Sequence, residues 1–112
     1  MLAPENRLTS SEEFRRAVRR GVRAGSEHLV VHWLPSDGET PVRSGFVVSK
    51  AVGNAVRRNR VKRRLRHLTR EHLRELPGSG VLVVRAQPAS SRATYAQLDR
   101  ELRSCLRRVV SS

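Results

Sequence analysis

GNAVRRNRVKRRLRHLTREHLRELPG, residues 53–78, decides how the rest of the chain must fold. Asn54 after Gly53 is a helix N-cap, and Pro77-Gly78 is a stop, so the spacing predicts a helix over 54–76. Val61, Leu65, Leu68, His72 and Leu76 recur at i, i+4, i+7, i+11 and i+15, one stripe along a helix. The rest of its surface is cationic. In the decamer 57–66 seven of ten residues are basic and none is acidic, so with a net charge of +13 the other 102 residues carry only +6. Asn59, Arg63, Arg66, Arg70 and Arg74 fall opposite the stripe, and Arg58, Arg60, Lys62 and Arg64 flank it.

Working outward, strands are expected on both sides. HLVVHWL (28–34) and RSGFVVS (43–49) precede the helix, with Asp37-Gly38 as a turn between them, and GVLVVR (80–85) follows it. The first two are expected to pair antiparallel across a loop at Pro35–Pro41. A short amphipathic helix over 10–20 is marked by a Ser10/Glu13 capping box and by Gly21 as its stop. A final helix over 94–110 is marked by Thr94 and Gln97, with Tyr95, Leu98, Leu102, Cys105, Leu106 and Val109 as its apolar stripe. With a further short strand near Val22–Ala24 the order is α-β-β-(β)-α-β-α. That predicts an α+β, two-layer α/β sandwich of one domain, 1–112, with helices over a mostly antiparallel sheet.

The 112 residues suffice for one core. A pI near 11.8 selects polyanionic partners. Of the 23 basic residues only Lys50 and Lys62 are lysine, and arginine forks suit phosphate. Neighbouring like charges on a helix repel by a few tenths of a kcal/mol per pair, so a face this dense is best shared with nucleic acid. Solvated faces mix signs, whereas Glu71 and Glu75 arrive only past the run. Flanking strands disfavour a helix-turn-helix, and no heptad zipper follows.

Other chemistry is poorly supplied. Cys105 is the lone cysteine and reads as a small core residue. His67 and His72 are five apart, about 140° around a helix, too far to share a metal. Asp37, Asp99 and eight glutamates form no carboxylate cluster for two-metal hydrolysis. No phosphate-binding Gly-Lys loop occurs. The start of the chain lacks an apolar signal segment, and no apolar stretch would cross a bilayer. The expectation is a soluble, cytoplasmic protein.

Residues 49–63, SKAVGNAVRRNRVKR, closely resemble the signature of the protein subunit of bacterial ribonuclease P, centred on Arg58, Asn59 and Arg60. Asn6-Arg7-Leu8 with Glu13-Phe14, and Arg85-Ala86-Gln87-Pro88-Ala89, extend the likeness over about residues 5–110. The resemblance implies a sandwich with a left-handed crossover, like the second domain of ribosomal protein S5, where residues alone suggest the right-handed default. It implies an accessory subunit of an endoribonuclease. Its partners would be a catalytic RNA, which holds the Mg²⁺, and precursor tRNA, whose 5′ leader is removed, with no membrane and no obligate protein partner. RNA binding falls to Arg58, Asn59, Arg60, Lys62, Arg63 and Arg66, with Lys50, Gly53 and Asn54 setting up the start of the helix.

A leader cleft between the first helix and the sheet carries over to Phe14, Val18 and His32. Here the sequence departs from the family, because two of its aromatics are replaced by Val18 and His32. Trp33 faces away from His32 on a regular strand and is expected in the core, with Phe46 and Tyr95. The rival readings are a structural RNA-binding protein of ribosomal type, a self-sufficient metal nuclease and a cationic membrane-surface protein.

Overall fold

A computed structural model describes residues 2–111 of the chain. Three helices, α1 (Ser11–Arg20), α2 (Ala55–His72) and α3 (Tyr95–Val110), accompany four strands, β1 (Val22–Gly25), β2 (Leu29–Ser36), β3 (Arg43–Val47) and β4 (Ser79–Ala86). The order is α-β-β-β-α-β-α, so the short strand near residue 22 does form. It completes the α+β architecture.

The sheet order is β1-β2-β4-β3. Strands β1 and β2 pair antiparallel, as do β2 and β4, and β3 lies parallel to β4. The expected β2–β3 pairing is therefore wrong: β4 stands between them. Buried from Ser79 to Val84 on both faces, β4 is the most apolar strand and takes a place with a neighbour on each side. The connection from β2 is no hairpin, and β2 itself runs on through Pro35, which lies opposite Gly80.

The register sorts side chains onto two faces. Ala24, Leu29, Val31, Trp33, Leu82 and Val84 meet Val61, Leu65 and Leu68 of α2 and Leu98, Leu102, Cys105, Leu106 and Val109 of α3. On the other face Val81 and Val83 meet Ala17 of α1 and Leu8, with Phe14 and Leu34 packed alongside. The α2 stripe is as expected, with Val61 and Leu65 fully buried. His72 is partly covered, its Nε2 2.8 Å from Asp99 on α3. Tyr95 departs from expectation: it is 39% exposed, because it sits in the first turn of α3 beside His67 rather than over the sheet.

Caps follow the sequence with one exception. Thr94 and Gln97 form a reciprocal box, and Asn54 Oδ1 accepts from the Arg57 N–H at 2.9 Å. Ser10 accepts from the Glu13 N–H, but Glu13 does not return the bond. Its carboxylate is drawn instead to Arg43 on β3, 2.6 Å away, which ties α1 to the sheet.

A second tie joins the β1–β2 turn to α3. The Glu101 carboxylate accepts from Ser26 Oγ and the His28 N–H, and lies 2.6 Å from His28 Nδ1. Burial alone would raise the Glu101 carboxyl. The bonds from His28 and Ser26 outweigh burial and hold it below its ordinary value. A carboxyl lowered by folding stabilises the protein above its unfolded pKa, roughly 4.3. That contribution is lost as pH falls through the lower, folded value. Urea unfolding followed from pH 6 to pH 3 should therefore show a steeper acid loss for the wild type than for Glu101→Gln.

Candidate nucleic-acid interface

The cationic helix begins on a constrained turn. Lys50–Val52 make one turn of 3-10 helix, and Gly53 follows at φ +150°, a conformation that L side chains rarely adopt. Asn54 then caps α2. Lys50 and Asn54 are exposed beside this bend. Gly53 thus serves the backbone turn, while Asn54 spends its side-chain oxygen on the cap.

Along α2 the buried stripe fixes where the charges point. Asn59, Arg60, Arg63, Arg66 and Arg70 are exposed, and Arg58, Lys62 and Arg64 are half-buried at the borders. Among the described residues none of these cations has an acidic partner; the nearest acid on the helix, Glu71, lies 3.7 Å from His67. Arg58 Nε is buried without an acceptor. The result is a continuous donor-rich surface about 27 Å long, taking 1.5 Å per residue over the 18 residues of the helix.

The middle of this surface, at Lys62 and Arg66, borders a groove of about 500 Å³ at the β3 edge of the sheet. Phe14 from α1, Gly45 and Phe46 from β3, and Lys62 and Arg66 from α2 line it, together with Arg7. Gly45 is what allows the groove its aromatic wall. A Cβ there would fall 2.1 Å from Phe14 Cζ, so the ring rests directly on the β3 backbone. Phe46 points to the opposite sheet face and is partly covered by the main core. It contributes to the same groove because β3 is the last strand of the sheet, bridged on its outer edge only at Ser44, by Arg7.

The three expected cleft residues lie on the α1 side of the sheet, but in different settings. Phe14 lines the groove. Val18 is 38% exposed, one residue beyond the buried Ala17. His32 is almost wholly buried on β2, with Trp33 in the core behind it, as the strand alternation requires. Arg85 on β4 approaches His32 Nε2 at 3.4 Å. Burial lowers the His32 pKa, and the positive charges of Arg85 and Arg23 lower it further. Arg7, Arg23 and Arg85 were less legible as site residues. The readable signal was Arg85, a lone cation closing an otherwise apolar strand.

Among the described residues no three His, Cys, Asp or Glu side chains gather into a metal site, and no helix is long and apolar enough to cross a membrane. Fold and surface define a small, basic α+β protein of the RNA-binding class, with one arginine-rich helix and an adjoining aromatic groove. The ribonuclease P family model matches residues 2–110. The chain belongs to the ribonuclease P protein family.

Its relatives agree in length as well as sequence. It is 58% identical over 111 residues to the ribonuclease P protein component of a Nocardioides species, covering 97% of this chain and 95% of that one. It is 53% identical to the Streptomyces griseus component, covering 98% and 96%. Among solved structures, the Staphylococcus aureus RNase P protein superposes with a TM-score of 0.82 at 26% identity, covering 94% of this chain and 97% of that one. The Thermotoga maritima protein in complex with 1-(4-fluorophenyl)-2-thiourea gives 0.81 at 26% identity, covering 92% and 99%.

Proposed function

We propose that the chain assists removal of the 5′ leader from precursor tRNA, as the subunit that binds a catalytic RNA and the leader together. The observation that carries this reading is the meeting of Phe14 with Lys62 and Arg66 in one groove. A strand lying against the aromatic wall would pass directly onto the cationic helix. Arg58, Asn59, Arg60, Lys62, Arg63 and Arg66 are assigned to the catalytic RNA, with Lys50, Gly53 and Asn54 shaping the approach. Phe14, Val18 and His32 are assigned to the leader. Stacking on Phe14 contributes roughly 1–3 kcal/mol per base. Val18 offers apolar contact without a π face, so this chain leans more on charge than on stacking along the leader.

Hydrolysis of the phosphodiester is assigned to the RNA, which holds the Mg²⁺. The protein supplies positive charge where two RNA backbones converge, lowering the metal concentration the assembly needs. The domain acts as a unit, since both contact surfaces share one sheet, and it works in the cytoplasm.

The test is processing of precursor tRNA at low Mg²⁺ with the RNA subunit alone, the protein alone, and both. The expected result is little cleavage by either alone and rapid cleavage by the pair. Robust cleavage by RNA-free protein would overturn the assignment.

A further inference from the structure

On the α1 side of the sheet, outside the groove, three nitrogen-bearing side chains face one another with no oxygen acceptor among them. Arg23 on β1 lies directly opposite His32 on β2, and Arg85 stands two residues beyond Val83, the β4 partner of His32. Arg85 can only donate, so the contact at 3.4 Å makes His32 Nε2 the acceptor and leaves the proton on Nδ1. Nδ1 is buried and has no partner. Among the described residues neither Arg23 nor Arg85 has a carboxylate partner. The charged groups facing His32 from the neighbouring strands are these two arginines. On α1, Arg15 and Arg19 stand near Val18 and add only positive charge.

Two guanidinium groups with no carboxylate beside them are completed by an anion. The rim shows which kind. Val47, the register partner of Arg85, is 39% exposed, and Val18 on α1 is 38% exposed. Apolar shoulders beside a cationic floor suit a sugar-phosphate backbone better than a free ion. We propose that Arg23, His32 and Arg85 form a seat for one phosphodiester of a single-stranded RNA, and that His32 takes up a proton as the anion binds. This rests on the leader-binding reading above and gives it a chemistry of its own: charge linked to pH at a position where the family carries an aromatic.

The sign follows from linkage. Burial, and then the two arginines, disfavour the charged form of free His32. An anion at the seat offsets both and favours the imidazolium, so the complex binds more protons than the free protein. Affinity must then rise as pH falls, with a slope of at most about one log unit per pH unit for one proton.

The test uses the full chain and a single-stranded oligouridylate with hydroxyl ends, titrated by fluorescence anisotropy between pH 7.5 and pH 5.5. Wild type should tighten over this range by roughly threefold to tenfold more than His32→Phe, within the roughly hundredfold that uptake of one proton allows across two pH units. His32→Gln, which keeps a polar side chain but cannot be charged, should follow His32→Phe and guards against a packing effect of the ring. An oligomer with uncharged methylphosphonate links should lose the difference. Parallel profiles for wild type and both variants would overturn the seat, as would a His32-dependent profile that survives on the uncharged oligomer. Parallel profiles overturn the seat even where precursor processing is normal. Failed processing with a His32-dependent profile overturns the larger reading and leaves the seat standing.

Discussion

Raising monovalent salt from about 50 to about 200 mM should weaken the chain's binding to its RNA by roughly 100- to 500-fold. Five phosphate contacts give a slope of log K on log salt of roughly −3.5 to −4.5, on the single-strand and duplex coefficients respectively. Five is a modest demand on a helix whose decamer holds seven cations and no acid. Among the described residues none of those cations is paired with a carboxylate, so their counterions are free to leave when RNA arrives. Arg60→Ala should flatten the slope by about 0.7 to 0.9. Phe14→Ala should leave the slope alone, because stacking releases no counterions, while weakening leader-bearing precursor more than mature tRNA. Filter binding at five salt concentrations separates the two. Equal loss on precursor and mature tRNA for Phe14→Ala, with an unchanged slope for Arg60→Ala, would dissolve that division between anchor and discriminator.

Leu65→Ala is expected to cost the fold about 2–5 kcal/mol. Leu65 is fully buried where α2 crosses the sheet, among Val61, Leu68 and the inward residues of α3. Removing its three carbons leaves a cavity that α2, tied at the Gly53 bend and through His72 to Asp99, cannot readily close. Arg63→Ala, two residues away on the exposed face, should change stability by no more than about 0.5 kcal/mol. Relief of like-charge repulsion along α2 works in its favour, and the larger effect should be on RNA affinity. Urea denaturation of both variants checks the contrast. An unfolded Arg63→Ala beside an untouched Leu65→Ala would place the helix in another register.

The α2 helix was legible because two independent signals coincided, an apolar stripe and a cap with a proline-glycine stop. Thr94 with Gln97 marked α3 equally well. Strand positions were legible from their apolar runs, but strand partners were not. Nothing local in RSGFVVS says that it will wait for GVLVVR rather than fold back on HLVVHWL. That choice is made by burial across the whole sheet, which favours the most apolar strand at an interior position. Glu13 shows the same limit on a smaller scale: a capping-box residue was claimed by Arg43, thirty residues away. For the interface, the basic run and the residues around Arg58-Asn59-Arg60 were plain in the sequence. The grouping of Phe14 with Lys62 and Arg66, and of His32 with Arg23 and Arg85, required knowing that β4 separates β2 from β3.

That interior place for β4 also sets a timetable for synthesis. A β1–β2 hairpin can close as soon as residue 36 is made, but β2's other edge and the inner edge of β3 then have no partner strand. Their shared partner begins at Ser79, 32 residues after Val47, the last residue of β3. At roughly 5–20 residues per second the ribosome leaves those edges open for on the order of seconds. Exposed strand edges in a nascent chain are templates for aggregation. The segment translated during that wait is the one with the densest positive charge, so each growing chain carries its own electrostatic repulsion against its neighbours until the sheet can be completed.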